Sequence, residues 1–175
     1  MDKILDNSES IDLTGDDLRK ICNNKLDIVP YHTLGNYKDI DELMGEFKSV
    51  ILLYETRENF GHYVALFING NNDLEFFDSY GFSPDQELKY ATFNRIAGIP
   101  FLTNLLKDYK KKVIINKERL QVFHKDINTC GRWTSLRILM KDMPLRDFIN
   151  LFTKNRHYNG DFWVSALTYL YTNKN

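Results

Sequence analysis

Three apolar runs crowded into thirty residues decide most of what this chain can become. Val50-Ile51-Leu52-Leu53, Tyr63-Val64-Ala65-Leu66-Phe67 and Phe76-Phe77 sit inside the stretches 49–54, 62–68 and 74–78. None alternates cleanly between apolar and polar residues. Continuous apolar runs of this length predict strands covered on both faces, hence a sheet lying between helices. Asn69-Gly70-Asn71-Asn72 separates the second run from the third and predicts a hairpin. The loop length then fixes which side chains share a face. An odd-length loop centred on Gly70 sets His62 directly opposite Asp78, both on one face, whereas a two-residue Asn-Gly turn separates them onto opposite faces. The odd-length loop is the reading adopted.

Helices are expected around this sheet. Thr14 and Asp17 resemble a capping box, with Leu18, Ile21 and Cys22 following at helical spacing. Pro30 and Gly35 punctuate a loop holding His32, and Ile40, Leu43, Met44 and Phe47 suggest one face of a short helix. Residues 84–112 read as mixed loop and helix, with Phe101, Leu102, Leu105 and Leu106 as a packed face, and Val113 to Ile115 as a further short strand. Pro144 opens a helix carrying Leu145, Phe148, Ile149 and Phe152, and a last apolar helix runs from Phe162 to near Thr172. Residues 1–12 are polar and expected to be loosely held. With 175 residues, no repeat and no low-complexity linker, one domain spanning residues 1–175 is expected.

The chemistry centres on Asn128-Thr129-Cys130-Gly131-Arg132-Trp133 and the apolar segment after it, with Leu136, Ile138, Leu139, Met140 and Met143. This reads as the first turn of a buried helix with a cysteine at its start. The unpaired N–H groups and positive dipole end there favour thiolate over thiol and can hold an oxyanion. Gly131 would let a substrate backbone approach closely. Cys130 is therefore a candidate nucleophile, His62 a candidate general base and Asp78 the carboxylate that would orient its ring. Gln121 could donate an amide N–H to complete an oxyanion hole with the backbone N–H of Cys130, and His124 or Asn128 could serve instead. Taken singly, each also fits a structural role: a small core thiol, a hydrogen-bonded strand histidine, a turn aspartate before Ser79-Tyr80-Gly81, a polar strand-edge glutamine. Zinc held by His62, Asp78, His124 and Cys130 is disfavoured, because no close-spaced ligand pair exists, and no cofactor is expected.

The order His, acid, Gln, Cys resembles that of the adenovirus-endopeptidase and SUMO-protease clan of cysteine peptidases. It rests on Gly61-His62-Tyr63-Val64-Ala65-Leu66-Phe67, Glu75-Phe76-Phe77-Asp78-Ser79-Tyr80-Gly81, Leu120-Gln121 and Thr129-Cys130-Gly131-Arg132-Trp133. The set is most similar to the maturation proteases of virophages, Polinton-type elements and large DNA viruses. The resemblance implies an α+β fold: a central mixed β-sheet packed between helices, with the nucleophile at the N-terminus of a buried central helix. It implies a triad of Cys130, His62 and Asp78, with Gln121 in the oxyanion hole. Tyr63 stands where the family often has Trp, and Gln121 lies nine positions before Cys130 rather than the usual six or seven. From the residues themselves, Arg132, Arg137, Tyr63 and Tyr80 are candidates to shape the groove, with surface or packing roles as the default for each.

The expected function is that of a viral cysteine endopeptidase cutting capsid or core precursor polypeptides at small-residue, Gly-Gly-type sites. Two alternatives keep the fold: an isopeptidase acting on ubiquitin-like modifiers, and a non-enzymatic virion protein. A net charge of −1 lacks the electrostatic footprint of a nucleic-acid binder, although Lys107, Lys110, Lys111 and Lys112 form a local basic stretch. Two cysteines cannot build a disulfide framework, and no run approaches membrane-spanning length. A monomer without membrane or nucleic-acid partners is expected, in the host cytoplasm or viral factory and packaged in the virion, not secreted.

Overall fold

The computed structural model describes residues 9–91, 98–154 and 158–172. Most of the amino-terminal stretch expected to be loose, residues 1–8, lies outside them. The chain order is α1 (Gly15–Ile21), β1 (Asp27–Pro30), a 3-10 turn (Tyr31–Asn36), α2 (Ile40–Met44), β2 (Ser49–Arg57), β3 (Phe60–Ile68), β4 (Leu74–Phe77), a 3-10 turn (Gln86–Lys89), α3 (Phe101–Lys107), β5 (Val113–Ile115), α4 (Cys130–Leu139), α5 (Leu145–Thr153) and α6 (Gly160–Thr172). The five strands form one mixed sheet in chain order. The two central pairings are antiparallel, and the outer pairings, β1 with β2 and β4 with β5, are parallel. The fold is α+β, as expected.

The sheet is buried on both faces, and strand parity divides the core in two. Ile51, Leu53, Tyr63, Ala65, Phe67 and Phe77 pack with Leu18, Ile21, Trp133, Phe148 and Phe152. Val50, Leu52, Tyr54, Val64, Leu66, Leu74 and Phe76 pack on the other side with Leu34, Leu43 and Leu102. Each fully buried side chain of this kind contributes roughly 1.5–3 kcal/mol. Both parities are apolar because both faces are covered.

The hairpin differs from expectation in one detail. Ile68 pairs with Leu74, so the loop has an odd number of residues but centres on Asn71, not Gly70. Asn69 sets it: its side-chain oxygen accepts from the N–H groups of Asn71 (3.0 Å) and Asp73 (3.1 Å). Gly70 serves a different need. A Cβ there would lie 2.8 Å from Asp142 Cα, so glycine permits close approach to the turn after α4. Extending the observed register sets Tyr80, not Asp78, opposite His62. The displacement is two residues, which leaves His62 and Asp78 on one face.

Three smaller differences concern the left half of the sheet and its neighbours. Residues 27–30 form a strand that their mixed pattern hides. The expected loop around His32 is a 3-10 turn. The helix over Ile40, Leu43 and Met44 stops at Gly45 (φ +55°), before Phe47. The capping box on α1 is present in both directions, and β5 and the helix after Pro144 fall where expected. Among the described residues no helix is long and apolar enough to cross a membrane.

Arg137 of α4 lies in the core, not in a groove. Its guanidinium donates to both oxygens of Glu75 on β4 (2.8 and 3.0 Å) and to the carbonyls of Met140 (2.6 Å) and Met143 (2.9 Å). Arg132 is likewise buried and donates to Thr168 Oγ1 (3.0 Å). These pairings bolt the Cys130 helix to the sheet and to α6. Glu75→Leu leaves a buried, uncompensated guanidinium and is expected to cost about 3–5 kcal/mol in urea unfolding. The Glu75→Leu/Arg137→Leu double variant recovers much of that loss, and a double variant as unstable as the sum of its singles would contradict this account.

Candidate active site

Each functional side chain is delivered by a rigid element. Cys130 begins α4, a helix that packs Trp133, Leu136 and Ile138 under one face of the sheet. His62 and Asp78 belong by parity to the other face, near the ends of β3 and β4. They come together near Cys130 at one end of the central strands, where the first turn of the helix lies.

The three groups form a chain of contacts. Asp78 Oδ1 lies 3.0 Å from His62 Nε2 and accepts the backbone N–H of Tyr80 at 2.7 Å. The remaining ring nitrogen, Nδ1, is left for Cys130, which lines the same depression as His62 and acts on the ring electrostatically. Tyr80 stacks on the His62 ring, with centroids 4.6 Å apart and planes 16° from parallel. Stack and carboxylate together fix the ring's orientation. The backbone of Asp78 is pinned from behind, its carbonyl accepting Asn116 Nδ2 at 2.7 Å. Burial pushes the His62 imidazolium down, but the charge and hydrogen bond of Asp78, with Cys130, outweigh it. The net result holds His62 well above its ordinary value of 6.5.

Gln121 is buried beside this group and lines the same depression as His62 and Cys130. Its oxygen accepts from Ser79 Oγ (2.7 Å), and its Nε2 donates both hydrogens through long bonds, 3.2 Å to Tyr80 Oη and 3.3 Å to the Ile127 carbonyl. Asn128 also lines the depression, while its side chain is engaged with the Ser10 carbonyl. His124 is exposed, faces Asp126 and takes no part in the site. Among the described residues no three His, Cys, Asp or Glu groups gather as a metal site.

Two expectations need correction. Arg132 and Arg137 do not shape the groove, for the packing reasons given above. Gly131 is buried, and a Cβ on it would lie 2.9 Å from Leu18 Cδ2 and 3.4 Å from Tyr63 Cδ2. Its smallness lets α4 sit close to α1. Tyr63 and Tyr80 do line the cleft, Tyr63 in a depression of about 260 Å³ and Tyr80 in one of about 240 Å³, with Cys130 in the wall of both.

The sequence reading missed Asp161, in the first turn of α6. Its carboxylate accepts the Thr129 hydroxyl, the Trp133 indole N–H (2.8 Å) and the Val122 backbone N–H (2.8 Å). One buried acid thus joins the residue before Cys130, the residue after Gln121 and the last helix. Burial raises its pKa despite these donors. The second cysteine, Cys22, is a contrast: it is buried in the core, donates to the Ser135 carbonyl, and burial pushes its thiol up to about 12.

With the geometry in hand, the chain can be set beside known proteins. No family model matches it. It is similar to "Uncharacterized protein V9" of Sputnik virophage, with 38% identity over 144 residues that cover 80% of this chain and 82% of that protein. The chain belongs to that virophage protein's family and is a viral protein.

The raised His62 value has a sign that can be checked. The charge contributes stability in full below about pH 6.5 and loses it as pH rises through the higher folded value. Asp78→Asn removes the main source of the elevation, so its His62 titration moves back towards pH 6.5 or below. NMR of the His62 Cε1–H signal reads this directly. A wild-type midpoint at or below 6.5 would contradict the assignment.

Proposed function

We propose that this chain is a viral cysteine endopeptidase. The observation that carries the reading is the hydrogen-bonded pair of Asp78 and His62 beside Cys130, at the start of a buried helix and in the wall of a cleft. The Cys130 thiol gives its proton to His62, and the sulfur attacks the scissile carbonyl carbon. The resulting oxyanion is held by backbone N–H groups of the first helical turn, with Gln121 Nε2 swinging from its two long hydrogen bonds to assist. His62 returns the proton to the leaving nitrogen as the C–N bond breaks, and a thioester remains on Cys130. Water then attacks the thioester, losing a proton to His62. The acid leaves, and His62 reprotonates the sulfur. Asp78 holds the ring and stabilises its cationic form throughout.

The substrates proposed are capsid or core precursor polypeptides cut beside small residues, at Gly-Gly-type sites. The depressions beside Cys130 are walled by Asn59, Phe60, Tyr63 and Asn128, and a preference for small residues at the cut would follow from a snug fit of the substrate backbone against them. No cofactor takes part in this chemistry.

Co-expression with a candidate precursor from the same genome tests the proposal. Wild type is expected to cleave it. Cys130→Ala and His62→Ala are expected to lose at least about a thousand-fold in rate, by analogy with removal of a nucleophile or base from a relay that acts as a unit. Cys22→Ala is expected to behave as wild type. Cleavage by Cys130→Ala at the wild-type rate would exclude this mechanism. Release of a carboxy-terminally fused ubiquitin-like modifier in preference to the precursor would point to an isopeptidase instead.

A further inference from the structure

One carboxylate in the cleft has no role in the mechanism above. Glu87 sits in the 3-10 turn Gln86–Lys89, is 7% exposed and lines the same depression as His62, Gln121 and Cys130. Its Oε2 is buried and has no hydrogen-bond partner among the described residues. A buried, unpartnered carboxylate oxygen is costly, so it persists in a folded chain for a reason. Burial raises its pKa; the nearby charges of His62 and Lys89 oppose that rise, and Asp78 adds to it.

The surroundings specify what would complete this group. Phe60, Tyr80, Tyr90 and Phe123 line the depression with Glu87, and Asp12 adds a second carboxylate. Phe123 is 59% exposed and Tyr90 42%, large rings left open at the mouth. These rings already accept cations of the chain itself: Lys89 Nζ lies 4.7 Å from the Tyr90 centroid, and the Arg57 guanidinium 3.9 Å from that of Phe60. Lys89 stays on the rings, and no ion pair joins it to Glu87 among the described residues. Aromatic faces around an unpaired acid are the complement of an alkylammonium or guanidinium group.

We propose that Glu87, with Tyr90 and Phe123, forms a subsite that binds a lysine or arginine side chain of the polypeptide substrate near its scissile bond. This rests on the peptidase reading for its biological meaning, but the subsite can be tested apart from it. The basic side chain lays its methylene stem along the rings and brings its cation to Glu87 Oε2. Small residues at the cleavage point and a basic residue farther along the peptide are compatible demands, because a long basic side chain can reach Glu87 from a neighbouring position of the substrate.

The test uses the full chain and Cys130 as a reporter. Its modification rates with a cationic trimethylammonium-ethyl methanethiosulfonate and with neutral methyl methanethiosulfonate are compared by mass spectrometry at pH 7.5. The cation-to-neutral ratio is expected to fall about five-fold in Glu87→Gln, as loss of one nearby charge at intermediate dielectric implies. It is also expected to fall in Tyr90→Ser, a surface substitution that spares the fold. An unchanged ratio in both variants overturns the subsite. In parallel, wild type and Glu87→Gln digest a complex peptide mixture. Lysine or arginine enriched at one position near the cleavage sites of wild type, and lost in Glu87→Gln, supports the proposal; cleavage by wild type without such enrichment overturns it. If wild type cleaves nothing and its Cys130 reacts with the neutral reagent no faster than an ordinary thiol, the peptidase reading fails, and the reagent ratio still decides whether the cation site exists.

Discussion

Asp161 is the constraint on which the site's geometry depends. Its carboxylate takes hydrogen bonds from Thr129, Trp133 and Val122, three residues that flank or support Cys130 and Gln121. The loop from Gln121 to Thr129 has mostly exposed side chains; besides Asp161 it is held by the Gln121 bonds to Ser79 and Ile127 and by the Asn128 backbone N–H donating to the Glu9 carbonyl. The arrangement places the group that orders the turn before Cys130 in the last helix, as a buried acid. It also explains why α6 packs against the Cys130 helix instead of merely covering the core. The proposed oxyanion donors inherit their positions from this one group.

The second structural theme is one end of the central strands used from both faces of the sheet. The Cys130 helix lies under one face, while His62 and Asp78 belong to the other. Only where the helix starts can the two meet, and there the covering is thinnest. His62 lies on β3 and Asp78 directly follows β4, strands whose register is locked by two packed faces, so the ring cannot drift without disturbing the core. Tyr80 adds a stacking surface that a carboxylate alone would not give. The buried Arg137–Glu75 pair holds the far end of the same helix to the same strand.

Much of this was legible in the sequence, for identifiable physical reasons. Continuous apolar runs gave a two-sided sheet, and the period of two kept His62 and Asp78 on one face although the hairpin loop was centred one residue too early. That error arose because Gly70 was read as a turn residue when its smallness serves a contact with Asp142. Gly131 misled in the same way: lack of a Cβ says that something comes close, not what. A packing role for the arginines after Cys130 was among the readings, but not their partners, since Glu75 and Thr168 are distant in sequence. Asp161, Asn116 and Glu87 carried no local signal, because each acts on residues brought near only by the fold. The short strand 27–30 was hidden by a mixed pattern at a sheet edge.

The most direct test of the central claim, that Cys130, His62 and Asp78 act as one unit, is a double-mutant cycle on the reactivity of Cys130 itself. The rate of its modification by iodoacetamide near neutral pH is measured in wild type, Asp78→Asn, His62→Ala and the double variant. A coupled relay predicts that His62→Ala removes most of the reactivity and that adding Asp78→Asn then changes little. Independent, additive losses, or a Cys130 that reacts equally fast without His62, would contradict it.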